Sequence, residues 1–92
     1  MIIQLYKFGT ILISRPDGRE AFLAFQPTLR GIKPNEQLEV DFTGVDVFSV
    51  GWADEFITPL FKIYPNRITL LNLDNASVKA TLEMLGYLPI KK

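Results

Sequence analysis

Residues Leu38 to Phe56 read LEVDFTGVDVFSVGWADEF, and their rhythm changes halfway along. Leu38, Val40 and Phe42 alternate with Glu39, Asp41 and Thr43, the period of two that a half-buried strand requires. Apolar density rises through Val45, Val47 and Phe48. From Ser49-Val50-Gly51 onward the spacing becomes helical, with Trp52, Phe56, Leu60 and Ile63 on one stripe and Ala53, Ile57 and Tyr64 beside it. A strand that feeds a loop and then a helix leaves unpaired N–H groups and the positive helix end at one corner. The junction Ser49–Glu55 is therefore the expected working surface. In this reading Gly51 caps the helix, and Asp54 and Glu55 occupy its first turn, where the dipole favours acids.

The rest of the chain supplies partners for that unit. Ile2 to Phe8 reads as a strand, and Ile11-Leu12-Ile13 as a second, wholly apolar one of the kind buried on both faces. Ser14-Arg15-Pro16-Asp17-Gly18 supports two readings. Pro-Asp-Gly is a hairpin turn signal. Ser14 and Asp17, spaced as a capping box with proline in the first turn, instead open a helix over Pro16 to Gln26, ended near Pro27. The helix is the preferred reading, although Gly18 costs it about 1 kcal/mol relative to alanine. Leu29 to Gln37 is a loop. Pro59 should kink the helix that follows Gly51, and Pro65-Asn66 should close it. Arg67 to Leu73 is a further strand. Asp74-Asn75 offers a cap for a last helix with Val78, Leu82 and Leu85 on one face, closed by Gly86 and Pro89.

The order β-β-α-β-α-β-α predicts an α/β fold of about four strands and three helices, with a mainly parallel or mixed sheet. The 92 residues suit one domain, and 48% hydrophobic content is enough for one core. Ten basic residues balance ten acidic ones, which argues against capture of nucleic acid or of an anionic membrane. The chain has no cysteine and no histidine. Thiol or serine–histidine catalysis and zinc-finger sites are excluded within it, and the lack of cysteine fits a reducing cytoplasm. No apolar run reaches the length of a membrane span, and Met1-Ile2-Ile3 lacks the basic start of a signal peptide. No phosphate-loop or dinucleotide fingerprint is present. The reading is of a protein without enzymatic activity, catalytic residues, metal or cofactor. Magnesium at Asp41, Asp46, Asp54 and Glu55 is the weaker alternative to helix capping.

Asp41-Phe42-Thr43-Gly44-Val45, followed by Ala53-Asp54-Glu55-Phe56, resembles the motif of STAS-like domains. These are small bacterial and phage-associated relatives of the sulfate-transporter and anti-sigma-factor-antagonist fold. Their pattern is an Asp-Phe-x-x-Val strand end and a Ser-Phe-Ala-Asp-Glu-Leu helix start. Ser14-Arg15-x-x-Gly18 resembles their Ser-Arg-x-x-Gly segment, and Val78 through Gly86-Tyr87 is similar to the last helix of the wider fold. The resemblance implies a regulatory module that binds a histidine-kinase-type ATPase or an anti-sigma-like regulator through Ser49, Val50, Gly51, Trp52, Asp54 and Glu55. In anti-sigma antagonists a serine or threonine at about this helix start is phosphorylated by the partner kinase. Here glycine stands before the aromatic, and Ser49 is the nearest hydroxyl, either a cap or a phosphorylation site.

Other readings of single residues stay open at this stage. Trp52 is either a core residue or an exposed anchor. Arg15 either pairs with an acid near the junction or binds an anion, and Asp41 holds the loop that follows it. Tyr87, Leu88 and Ile90 either pack back on the sheet or form an apolar tail. Two alternatives to the regulatory module remain: a self-associating homodimer joined by edge strands or that tail, and a small-molecule or nucleotide binder at the helix N-terminus.

Overall fold

Two stretches of chain, one near each end of the first half, run side by side and break at the same level. In the computed structural model, which describes residues 1–88, β1 (Ile2–Gln4) pairs parallel with β3 (Leu38–Asp41). Further along the same two paths, β2 (Ile11–Leu12) pairs parallel with β4 (Val47–Phe48). The last strand, β5 (Ile68–Leu71), pairs parallel with β3 on its other side, giving sheet orders β1-β3-β5 and β2-β4. The helices are α1 (Arg15–Leu29), α2 (Val50–Ile63) and α3 (Ala76–Met84). The fold is α/β with parallel pairing throughout, as expected.

The break corrects the long first strand. Leu5–Phe8 forms one turn of 3-10 helix instead of continuing β1. Opposite it, the other path is interrupted at Thr43-Gly44. There the Asp41 carboxylate accepts from the Thr43 N–H at 3.0 Å, and Gly44 adopts φ +85°, a region that favours glycine. A Cβ on Gly44 would lie 3.3 Å from Cβ of Tyr6. The two interruptions thus nest, and pairing resumes one step later as β2–β4. That resumption makes Val47–Phe48 a fifth strand beyond the four expected.

The second apolar run is not buried on both faces. Leu12 is buried, whereas Ile11 and Ile13 are 61% and 54% exposed. The two-stranded sheet is covered on one side only, so alternation persists although every side chain is apolar.

The expected end of the first helix needs revision. Helix α1 runs past Pro27 to Leu29, with Ser14 accepting from the Asp17 N–H at 3.1 Å as its cap. Proline at 27 deprives only the carbonyl four residues earlier, that of exposed Leu23, which water can reach. Beyond it the Arg30 N–H still reaches the Gln26 carbonyl at 3.1 Å. In α2, Pro59 lies within a helix that continues to Ile63 and closes before Pro65-Asn66, where the sequence ends it. The last helix ends as read. Gly86 has φ +85°, its N–H reaches the Glu83 carbonyl at 3.0 Å, and the Tyr87 N–H reaches Leu82 at 2.8 Å, the two bonds of a Schellman cap. Tyr87 and Leu88 pack against the core, with Tyr87 stacked on Phe61 at 4.3 Å; Pro89 and Ile90 lie outside the described residues.

Helices α1 and α2 lie along each other, and an aromatic cluster joins them to the strands. Phe56 sits at its centre, 5.0 Å from Trp52 in a stacked pair, 5.1 Å from Phe8 and 5.8 Å edge-on from Phe22. Leu38, Val40, Phe42 and Phe48 close the core from the sheet side.

Helix α3 closes the outer edge of β4 in an unusual way. The Ser77 hydroxyl accepts from the Phe48 N–H at 2.9 Å and donates to the Phe48 carbonyl at 3.1 Å, and Thr81 also donates to that carbonyl. One serine thus does for Phe48 what a neighbouring strand would do. Ser77→Ala leaves a half-buried N–H without a partner, and the expected loss is about 1–3 kcal/mol. Urea unfolding checks it; an unchanged midpoint would mean that water replaces the hydroxyl.

Candidate functional site

Helices α1 and α2 begin next to each other, and every residue singled out around Ser14–Gly18 and Ser49–Glu55 belongs to this meeting point. Helix α2 starts two residues earlier than the sequence suggests. Its cap is Ser49, not Gly51, and the Ser49 Oγ accepts from the Trp52 N–H at 3.4 Å. The same hydroxyl donates to the Ile13 carbonyl, while the Ser49 N–H donates to Leu12 at 2.9 Å. Ser49 therefore fastens β2 and the start of α1 to the start of α2. Gly51 faces the same segment: a Cβ there would lie 3.4 Å from the Ile13 carbonyl oxygen and 3.5 Å from the Arg15 nitrogen. The corner is narrower than the expected array of outward amides, because Ser49 takes one and Ile13–Arg15 covers part of the rest.

With the helix starting at Val50, Asp54 and Glu55 lie in its second turn, not the first. Their partners are cations of α1 rather than the helix dipole. The Arg15 guanidinium donates to Asp54 at 2.8 Å and to Glu55 at 3.0 Å, and Arg19 reaches Glu55 at 3.3 Å. Arg15 therefore takes the ion-pair reading. The result is a solvent-facing ridge of two arginines and two acids laid across two helices. Thr58 donates to Asp54 at 2.8 Å and accepts from the Tyr87 hydroxyl at 2.7 Å, which links the ridge to the C-terminal segment.

Two of the named residues serve packing. Trp52 is 2% exposed and enclosed by Phe8, Phe48 and Phe56, which corrects its place among partner-contacting residues: it shapes the corner from beneath. Gly18 is buried against the Trp52 backbone, where a Cβ would come within 2.5 Å of the Trp52 carbonyl oxygen. Val50, Gly51, Ser49, Asp54 and Glu55 remain half-buried at the surface.

Asp41 lies apart, at the carboxyl end of β3. Its Oδ1 accepts from Asn72 at 2.7 Å, and from the Thr43 hydroxyl and N–H at 2.7 and 3.0 Å. Asn72 adopts φ +61°, so this carboxylate ties together the loops after β3 and β5.

These contacts shift ionisation in a consistent direction. The Asn72 amide, then the Thr43 N–H and hydroxyl, hold the Asp41 carboxyl below its ordinary range; Arg15, then Thr58, do so for Asp54. The two acids, Asp54 first, raise Arg15 in turn. A carboxyl whose folded pKa is depressed stabilises the fold above its unfolded value of about 3.9 and loses that contribution as pH falls through the folded value. Stability should therefore be level from neutral pH to about pH 5 and decline below about pH 4. Asp41→Asn should flatten part of that acid limb in a pH series of urea unfolding. An unchanged limb would remove Asp41 as a contributor.

Sequence reasoning missed Arg19, Thr58, Ser77 and the role of Gly18. The four-residue spacings Arg15–Arg19 and Asp54–Thr58 were the available signal for the first two.

A family model described as a STAS-like domain of unknown function (DUF4325) matches residues 26–78, more than half of the chain. The chain belongs to this family of STAS-like domains. The match covers β3, β4, all of α2 and β5, and stops short of Ser14–Gly18, so that part of the resemblance rests on this sequence alone. No curated protein and no solved structure matches the chain. Among the described residues no helix is long and apolar enough to cross a membrane, and no three acids converge as a metal site.

Proposed function

We propose that this domain is a regulatory protein-interaction module without catalytic activity, acting in a bacterial cytoplasm. Its partner contacts Ser49, Val50, Gly51, Asp54 and Glu55, with Trp52 supporting them from the core. The observation that carries this reading is the ionic ridge of Arg15, Arg19, Asp54 and Glu55. It stands at the surface where two helices begin, next to exposed Ile13, whose carbonyl accepts from Ser49 and faces Gly51. Charges of both signs flanking apolar area suit a protein surface better than a small anion, because the arginines already hold carboxylates. The resemblance to anti-sigma-factor antagonists supports a histidine-kinase-type ATPase or an anti-sigma-like regulator as the partner. Ser49 is assigned the capping role in this reading, since both its donor and its acceptor functions are engaged.

The test is affinity capture from the native host with wild-type protein and with Glu55→Arg, which breaks two ion pairs at the rim. An ATPase or sigma-control protein held by the wild type and lost from the variant is the expected result. Equal recovery on both, or recovery of neither protein class, would defeat the proposal.

A further inference from the structure

We propose that the outer edge of the first strand path accepts an extended, basic segment of a partner protein, which adds to β2 as a strand and lies along α1. This surface is separate from the ionic ridge. Among the described residues β2 has β4 on one side and no strand on the other. The Thr10 and Leu12 carbonyls point at β4, accepting from the Val47 N–H at 3.1 Å and the Ser49 N–H at 2.9 Å. Alternation along a strand then turns the N–H and C=O of Ile11 the opposite way, outward from the sheet. A donor and an acceptor at an open edge are what an added strand pairs with.

The edge borders a furrow. Its first half, about 380 Å3, lies between β2 and the start of α1, where Asp17, Glu20, Ala21 and Ala24 form the far wall and Phe8 the floor. Its second half, about 390 Å3, continues along β1 to Phe25 and Thr28, and Phe8 lines both. Ala21 and Ala24 keep the wall low on the strand side, leaving room for alternate side chains of a guest. Ile11, 61% exposed, offers apolar contact at the mouth.

Charge selects the occupant over the first half of the furrow, whereas Lys7 lines the second. Asp17 and Glu20 stand one helical turn apart on the wall and form no ion pair among the described residues, unlike Asp54 and Glu55, which Arg15 and Arg19 hold. A guest strand with Lys or Arg at alternate positions meets both. A second copy of this chain is the wrong occupant: two-fold pairing through β2 sets the Asp17 and Glu20 of each copy against those of the other, and like charges placed face to face repel.

A fluorescein-labelled, acetylated hexapeptide of alternating lysine and valine, titrated with the full chain and followed by anisotropy, tests this beside its glutamate–valine counterpart. The lysine peptide should bind at least tenfold more tightly. Ile11→Pro should weaken it at least tenfold at unchanged melting temperature, since the lost N–H serves no internal ladder. Asp17→Lys with Glu20→Lys should invert the preference between the two peptides, and this arm decides the matter if the proline variant does not fold. On binding, hydrogen exchange at the Ile11 amide should slow. No binding of the lysine peptide, equal binding of both, full affinity of a folded Ile11→Pro variant, or a dimer that Ile11→Pro disperses would each overturn the proposal. None of these variants touches Arg15, Asp54 or Glu55, so failure here is distinguishable from failure of the partner surface.

Discussion

Alanine at position 18 is expected to destabilise the fold by about 2 kcal/mol or more, against the usual advantage of alanine over glycine in a helix. That advantage is about 1 kcal/mol at an open site. Here the added methyl would come within 2.5 Å of the Trp52 carbonyl oxygen and 2.9 Å of its Cα, and neither atom belongs to a side chain that could swing aside. Helix α2 must retreat as a body. That separates Phe22 from Phe56 and loosens the Arg15 and Arg19 ion pairs. Forcing atoms into packed interiors costs about 1–3 kcal/mol and occasionally more; contact with rigid backbone belongs at the upper end. A chain of this length has about 5–14 kcal/mol in total. Urea unfolding followed by fluorescence of Trp52, the one tryptophan in the chain, reads the effect directly. A midpoint at or above that of the wild type would show that the helices can part freely.

Trp52→Ala is expected to have a still larger effect, about 3–5 kcal/mol, as for other large aromatic truncations in cores. The indole is sandwiched among three rings, at 5.0 Å from Phe56, 5.9 Å from Phe48 and 6.1 Å from Phe8, so its loss opens the space between helix and sheet. Circular dichroism against denaturant is the suitable measurement. A surface anchor would instead lose partner binding at unchanged stability, and that outcome would return Trp52 to the contact surface.

The elements that sequence made legible are those with several turns or repeats of pattern. The alternation Leu38, Val40, Phe42 and the stripe Trp52, Phe56, Leu60 each report burial many times over, and all six side chains are buried. Caps whose side chain accepts from the backbone N–H three residues on, Ser14 from Asp17 and Asn75 from Val78, could also be read locally. The two-residue strand β4 carries no periodicity, and only pairing across the fold defines it; β2 could be read as an apolar run, but not which of its faces is covered. Gly18 misled for a related reason: local propensity records its cost to α1 and is blind to the Trp52 backbone arriving 34 positions later. At the candidate site, residue types were readable but connections were not. Nothing near Arg15 in sequence distinguishes an arginine that binds an anion from one that holds Asp54 and Glu55.

Because the hydroxyl of Ser77 shuts the β4 flank while the β2 flank stays open, the smaller sheet can lengthen in one direction only. A guest laid on β2 becomes the new border, and the domain has no second border there with which to recruit another. Stacking into fibres through this sheet would thus require the visitor to be sticky on its far side. The domain itself acts as a terminus.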